Sequence, residues 1–182
     1  WGFPATVLVG TEVPGFGGRS TLVQGGRYLV AETCEYRRHF LNFHAERMLL
    51  TSVEPDHLDY FKDLEDILDA FETYGRSLPH RGSVVFCADD AGASEAARRI
   101  GRRRDDLVLL PYGRKAAGRF RIADIISGPG RTRFSIGGFS VPFELRVPGA
   151  HTVLNATGAL ALCEELWKKE RGDLPVDVEA AA

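Results

Sequence analysis

The sequence predicts an α/β fold: a mostly parallel sheet flanked by helices, with a small antiparallel sheet attached. Three observations predict it. Short apolar runs alternate along the chain with amphipathic stretches of helical period. Those runs are continuous rather than alternating, as strands covered on both faces require. Beyond residue 119 the pattern changes to apolar–polar alternation, the mark of strands with one buried face.

Taken in order, the strand runs lie at 6–10, 28–31, 48–51, 83–88 and 107–110. Helices fall between them. Residues 63–74 put Leu64, Ile67, Phe71 and Tyr74 on one stripe, and their acidic first turn suits the helix dipole. Gly75 is placed to end that helix. A second helix is expected over 91–103, with a basic end. Arg98, Arg99, Arg102, Arg103 and Arg104 there either bind phosphate or form a solvated helix terminus favoured by the dipole. Residues 119–147 form the antiparallel part. Phe120, Ile122, Phe134, Ile136, Phe139, Val141, Phe143 and Leu145 supply its alternation, and Gly128-Pro-Gly130 and Gly137-Gly138 its turns. Pro148-Gly149 then introduces a long helix over about 150–171, with Val153, Ala156, Leu160, Cys163 and Trp167 as its core stripe.

The 182 residues suffice for a proper core, and one domain over 1–182 is the economical division. With 44% apolar and 26% charged residues, the composition is that of an ordinary globular protein. A net charge of −2 gives no bulk attraction to nucleic acid or to an anionic membrane. No apolar run approaches the roughly 20 residues that span a bilayer. Cys34, Cys87 and Cys163 are far apart and make no zinc spacing, so reduced thiols in a cytoplasmic setting are expected. The chain opens on Trp1-Gly2-Phe3-Pro4 without a Met, which reads as the middle of a longer sequence.

Three clusters carry candidate chemistry. Glu32-Thr-Cys-Glu35-Tyr-Arg-Arg-His-Phe40 follows one predicted strand, and Glu54-Pro-Asp-His57-Leu-Asp59 follows the next. Ligands of open parallel sheets bind beyond the carboxyl ends of the strands. A carboxylate and an imidazole there can serve a divalent cation and its phosphates, or can simply cap turns. The third cluster, His151-Thr-Val-Leu-Asn155, puts His151 and Asn155 on one face of a first helical turn. An amide there either reads an adenine edge or belongs to a polar helix cap. Gly15-Phe-Gly-Gly-Arg-Ser20 lacks the spacing of a phosphate-binding loop and reads as a flexible loop. None of Lys62, Lys115, Lys168 and Lys169 supplies such a loop either.

Together the clusters resemble the Mur ligase family. Tyr28-Leu-Val-Ala-Glu-Thr-Cys-Glu-Tyr-Arg-Arg-His-Phe-Leu41 is similar to its acidic signature. Thr51-Ser-Val-Glu-Pro-Asp-His-Leu-Asp-Tyr60 is similar to its Thr-Asn-Ile-Glu-x-Asp-His-x-Asp motif, and Pro148-Gly-Ala-His-Thr-Val-Leu-Asn-Ala156 to its Pro-Gly-x-His-Asn-x-x-Asn-Ala motif. All stand in family order and span nearly the whole chain. The resemblance implies the P-loop NTPase-like central domain of an ATP-dependent ligase, with ATP and Mg2+ as cofactors. Its Cys-Glu-Tyr-Arg-Arg-His-Phe form implies addition of L-alanine to UDP-N-acetylmuramate, through an acyl phosphate, in peptidoglycan precursor synthesis.

By match, Glu35 is the metal-binding glutamate and His57 the histidine that holds a second magnesium; both would be catalytic. Asn155 stands beside the nucleotide base, with His151 next to it. Tyr36, Arg37, Arg38 and His39 face the substrate cleft. Thr152 occupies a position where the family usually has Asn, so nucleotide contact there is in doubt. The family's Gly-Lys-Thr loop is expected just before Trp1 and is absent from these residues. The isolated chain is therefore expected to be inactive and prone to self-association through the surface left open. Two alternatives remain: another ligase of the superfamily (tripeptide recycling, folylpolyglutamate or cyanophycin type), or a non-catalytic fragment.

Overall fold

The computed structural model describes residues 2–172, and the chain divides into two compact units at Phe43 and His44. Each is described by itself.

The first unit is built on a three-stranded sheet. β1 (Ala5–Val13) pairs antiparallel with β2 (Arg19–Val23) and parallel with β3 (Tyr28–Ala31). The stretch expected to be a flexible loop at 15–20 is instead the reversal of the β1–β2 hairpin. Gly17 and Gly18 take φ of 69° and 73° there, and their N–H groups donate to the Pro14 and Val13 carbonyls. β2 escaped the sequence reading because Arg19-Ser-Thr-Leu-Val23 carries too few apolar residues to register as a run. The expectation that every run is covered on both faces also fails here. Leu29 is 59% and Val30 47% exposed. Among its described residues this unit has no α-helix to lay on the sheet.

The second unit is a layered α/β structure. β4 (Arg47–Leu50), β5 (Ser83–Cys87) and β6 (Val108–Tyr112) pair in parallel, with β5 central and nearly all buried. α1 (Leu64–Ser77) and α2 (Ala91–Arg103) connect them. A Cβ on Gly101 of α2 would lie 2.6 Å from Leu109, which pairs with Val84. This puts α2 on the Val84 face. α3 (Ala150–Arg171) covers the other face. Its Val153 and Ala161 share a core with Val85, Cys87 and Tyr112, and Gly158 lies against Tyr112 and Leu49.

The antiparallel part is β7 (Ile122–Gly128), β8 (Arg131–Ile136) and β9 (Phe143–Leu145), joined as expected at Gly128-Pro-Gly130 and beyond Gly137-Gly138. Phe120, Ile122, Phe134, Ile136 and Phe143 extend the core that α3 covers. No helix among the described residues is long and apolar enough to cross a membrane.

Two helix expectations are corrected and one open choice is narrowed. Gly75 does not end α1, which runs on to Ser77. The stop is Pro79, which forces Leu78 to an extended φ, ψ of −58°, 146°. Gly75 is instead a contact point, since a Cβ there would sit 2.4 Å from Ile100 of α2. The buried stripe of α3 is also rotated by about a residue, to Val153, Thr157, Gly158, Ala161 and Glu164. Glu164 is only 2% exposed. It is accepted because Arg119 donates to it at 2.8 Å and Lys168 lies at 3.1 Å. Finally, Arg98, Arg99, Arg103 and Arg104 are ion-paired. Arg99 meets Glu95, Glu65 and Asp69, Arg103 meets Glu72, and Arg104 meets Asp106 and the carbonyls of Arg76, Leu78 and Pro79. The Arg98 and Arg99 guanidiniums hold the Glu95 carboxyl down at about 2. These groups tie α2 to α1 and to the turn after it, which favours the structural reading over phosphate binding.

Candidate functional site

The carboxyl ends of β4, β5 and β6 form one edge of the second unit, and three segments converge on it. After β4 comes Thr51 to Phe61. Val53 is buried, and its N–H donates to the Asp90 carboxylate at 3.1 Å. The same oxygen, Asp90 Oδ1, accepts from Ala93 N–H at 2.6 Å and so caps α2. The chain then passes Glu54, Pro55 and Asp56 to His57. Asp56 accepts from the His57 N–H at 2.6 Å, and the His57 carbonyl accepts from Tyr60 and Phe61 at 2.8 and 2.9 Å. Phe61 is buried and closes the segment.

His57 thus sits in a turn anchored at both ends, and its backbone is in the left-handed region at φ 54°. A non-glycine residue there stores of the order of 1–2 kcal/mol. Its imidazole is half-buried, with Nδ1 at 4.0 Å from the Asp56 carboxylate.

After β5 come Asp89 and Asp90. Asp89 accepts from the backbone N–H groups of Arg114 and Lys115 at 3.0 and 2.7 Å, and so fixes the turn that follows β6. Gly113 at φ 120° brings that turn close, since a Cβ would fall 2.8 Å from the Asp89 carboxylate. At the end of β6 the Tyr112 hydroxyl donates to the Leu50 carbonyl at 3.2 Å, and burial pushes its pKa well above the usual phenol range.

The first turn of α3 lies at the same edge. Gly158 packs on Tyr112 at the carboxyl end of β6, while Lys169 reaches Glu46 at the amino end of β4, with Nζ to Oε2 at 2.5 Å. α3 therefore runs antiparallel to the strands, with its N-terminus over their carboxyl ends. His151 and Asn155 are both exposed there, on one face of the helix. No side chain caps that terminus. The Thr152 hydroxyl donates to the Gly149 carbonyl at 2.6 Å, so this residue is occupied locally.

The remaining candidates belong to the first unit, after β3. Glu32 accepts from the Gly10 N–H at 2.8 Å and braces β1. Glu35 and Tyr36 are half-buried and open a 3-10 segment (Tyr36–Asn42) that is anchored by buried Phe40. The Glu35 carbonyl accepts from the Arg38 N–H at 2.7 Å. Arg37 and Arg38 both take left-handed backbone, at φ 52° and 57°. His39 is exposed, with its ring edge-on to Tyr36 at 6.5 Å.

The structure thus brings His57, His151 and Asn155 to one edge of the second unit, and Glu35, Tyr36, Arg37, Arg38 and His39 to one turn of the first. Glu35 offers the oxygen donor that hard cations prefer, and His57 a nitrogen donor with a supporting carboxylate; both fit a divalent cation. Sequence reading passed over Asp89, Asp90, Gly92 and Gly113. The signal was present: an Asp-Asp pair directly after a buried strand and at a helix start.

Comparison with known proteins follows the same lines. Residues 19–163 match the family described as Mur ligase middle domain. The chain is 44% identical over 173 residues to the UDP-N-acetylmuramate–L-alanine ligase of Treponema pallidum (strain Nichols), covering 95% of this chain and 36% of that protein. It is 34% identical over 168 residues to the ligase of the same name from Desulfitobacterium hafniense (strain Y51), covering 91% and 36%. The chain therefore spans about a third of the length of these curated relatives. Among solved structures it is similar in fold to the UDP-N-acetylmuramate:L-alanyl-gamma-D-glutamyl-meso-diaminopimelate ligase from Neisseria meningitides. The TM-score is 0.70 and the identity 18%, over 91% of this chain and 54% of that one. It is also similar to the MurF ligase from Thermotoga maritima in complex with ADP, with TM-score 0.60 and 18% identity over 78% and 34%. At such identities these structures speak to the fold alone. The sequence match over most of the chain decides the family: this chain belongs to the Mur ligases, as their middle domain.

Proposed function

We propose that this chain is the central domain of a longer ligase that joins L-alanine to UDP-N-acetylmuramate at the expense of ATP. The observation that carries this is the 44% identity to an alanine-adding ligase, running through all three motifs. The ligase from Neisseria meningitides named above is 18% identical to this chain and speaks to the fold alone.

The reaction balances in two steps. A carboxylate oxygen of the sugar acid attacks the terminal phosphorus of ATP, giving an acyl phosphate and ADP. The amine of L-alanine then attacks the acyl carbon, phosphate leaves, and the amine gives up a proton. Such chemistry is mostly positioning and charge stabilisation. Glu35 and His57 are assigned as holders of Mg2+, which would neutralise charge on phosphate oxygens. His151 and Asn155, exposed at an uncapped helix N-terminus, are assigned to the nucleotide. Tyr36, Arg37, Arg38 and His39 are assigned to the substrate cleft. A cytoplasmic setting agrees with these substrates and with three free thiols.

Two measurements test the assignments. Replacing His57 with Ala in the full-length ligase is expected to lower the rate about 10- to 100-fold at limiting magnesium; an unchanged rate removes its metal role. The 182-residue chain contains no GxxxxGK[ST] loop and so lacks the main anion cradle. Assayed alone, it is expected to give no heat of ATP binding in calorimetry; tight, magnesium-dependent binding contradicts this.

A further inference from the structure

The segment that carries His57 is seated on the start of α2 by two features that neither the motifs nor the family match assign. One is Asp90. A single oxygen, Oδ1, accepts both from Ala93, as the cap of α2, and from Val53, at the start of the His57 segment. The other is Gly92, in the first turn of α2. A Cβ there would fall 1.9 Å from the Val53 carbonyl oxygen and 2.9 Å from its carbon, so the segment rests directly on bare helix backbone. Gly92 is not among the glycines with positive φ, so its missing side chain serves the close approach rather than the backbone angle.

Four residues beyond Val53 the chain reaches His57 at φ 54°, and four further on it is anchored again by buried Phe61. A strained turn persists only where its surroundings over-determine it. Of the two anchors, Phe61 acts by burial and Val53 by this seat on α2.

We propose that Asp90 and Gly92 are positioning residues that set the place of His57 by clamping Val53 to the first turn of α2. The inference rests on the metal assignment of His57 proposed above. It extends that assignment to two residues of a different strand end. They act through the Val53 backbone.

The decisive variant is Gly92→Ala. Ala is the better helix former and leaves the Asp90 cap of α2 in place, so a fold defect is not expected from the helix itself. Its methyl group must nevertheless displace the Val53 carbonyl. In the full-length ligase, hydrogen exchange at the Val53 amide is expected to quicken about tenfold or more. The Mg2+ or Mn2+ concentration for half-maximal rate is expected to rise about tenfold, with the rate at saturating metal largely kept. Asp90→Asn retains the accepting oxygen and the cap, and should hold the metal midpoint within about twofold of the parent. His57→Ala is the control. If it shifts the metal midpoint while Gly92→Ala does not, the clamp is overturned and the metal assignment stands. Unchanged Val53 exchange in Gly92→Ala also overturns the clamp. If His57→Ala shifts nothing, the metal assignment falls and the inference falls with it.

Discussion

At the scale of single residues, three candidate residues take strained backbone, as does Arg81 outside the motifs. Arg37, Arg38 and His57 lie in the left-handed region, where a Cβ meets the neighbouring carbonyl. All three stand in the segments after β3 and β4 that the motifs single out. For His57 this gives a test that is independent of catalysis. Gly adopts φ 54° without that penalty and Ala does not. The His57→Gly variant is therefore expected to be more stable than His57→Ala by about 1 kcal/mol in denaturant unfolding. Equal stability would mean that the turn carries no strain. The positions of these residues after strands were legible from apolar runs followed by polar clusters. Their backbone angles were not, because arginine at 37 and 38 gives no signal of a positive φ and histidine at 57 only a weak one.

At the scale of elements, α1, α2 and the parallel strands β4 to β6 were readable because period and capping agreed. Asp63 caps α1 within the acidic start that the sequence showed, while the Asp90 cap of α2 was passed over. What failed were readings in which one residue has two possible uses. Gly75 was given a helix-ending role, yet it serves the contact between α1 and α2. Glu164 had no place in the expected core stripe, yet it is buried against Arg119 and Lys168, pairings remote in sequence or hidden by polarity. The Gly75 contact predicts an unusual sign. Ala normally favours a helix interior over Gly by about 1 kcal/mol. Gly75→Ala should instead destabilise the fold by about 1–3 kcal/mol, because its Cβ would meet Ile100. Shortening the partner in the double variant with Ile100→Val should recover part of the loss in thermal unfolding. Additive losses from the two changes would place the cost elsewhere.

At the scale of the whole molecule, the layered second unit turns the carboxyl ends of β4, β5 and β6 and the uncapped start of α3 into one edge. That edge was foreseeable, since the fold class alone locates ligand sites there. The hairpin of the first unit was not, since β2 is short and polar. Family membership rests on residues 19–163; the chain spans about a third of the length of its curated relatives, and the proposed activity is that of a longer ligase. The most direct test of the central proposal is phosphate release by that full-length protein, given ATP, magnesium and UDP-N-acetylmuramate, with and without L-alanine. The account predicts sustained release only when L-alanine is present, and little with other amino acids. Equal release with and without L-alanine would contradict it.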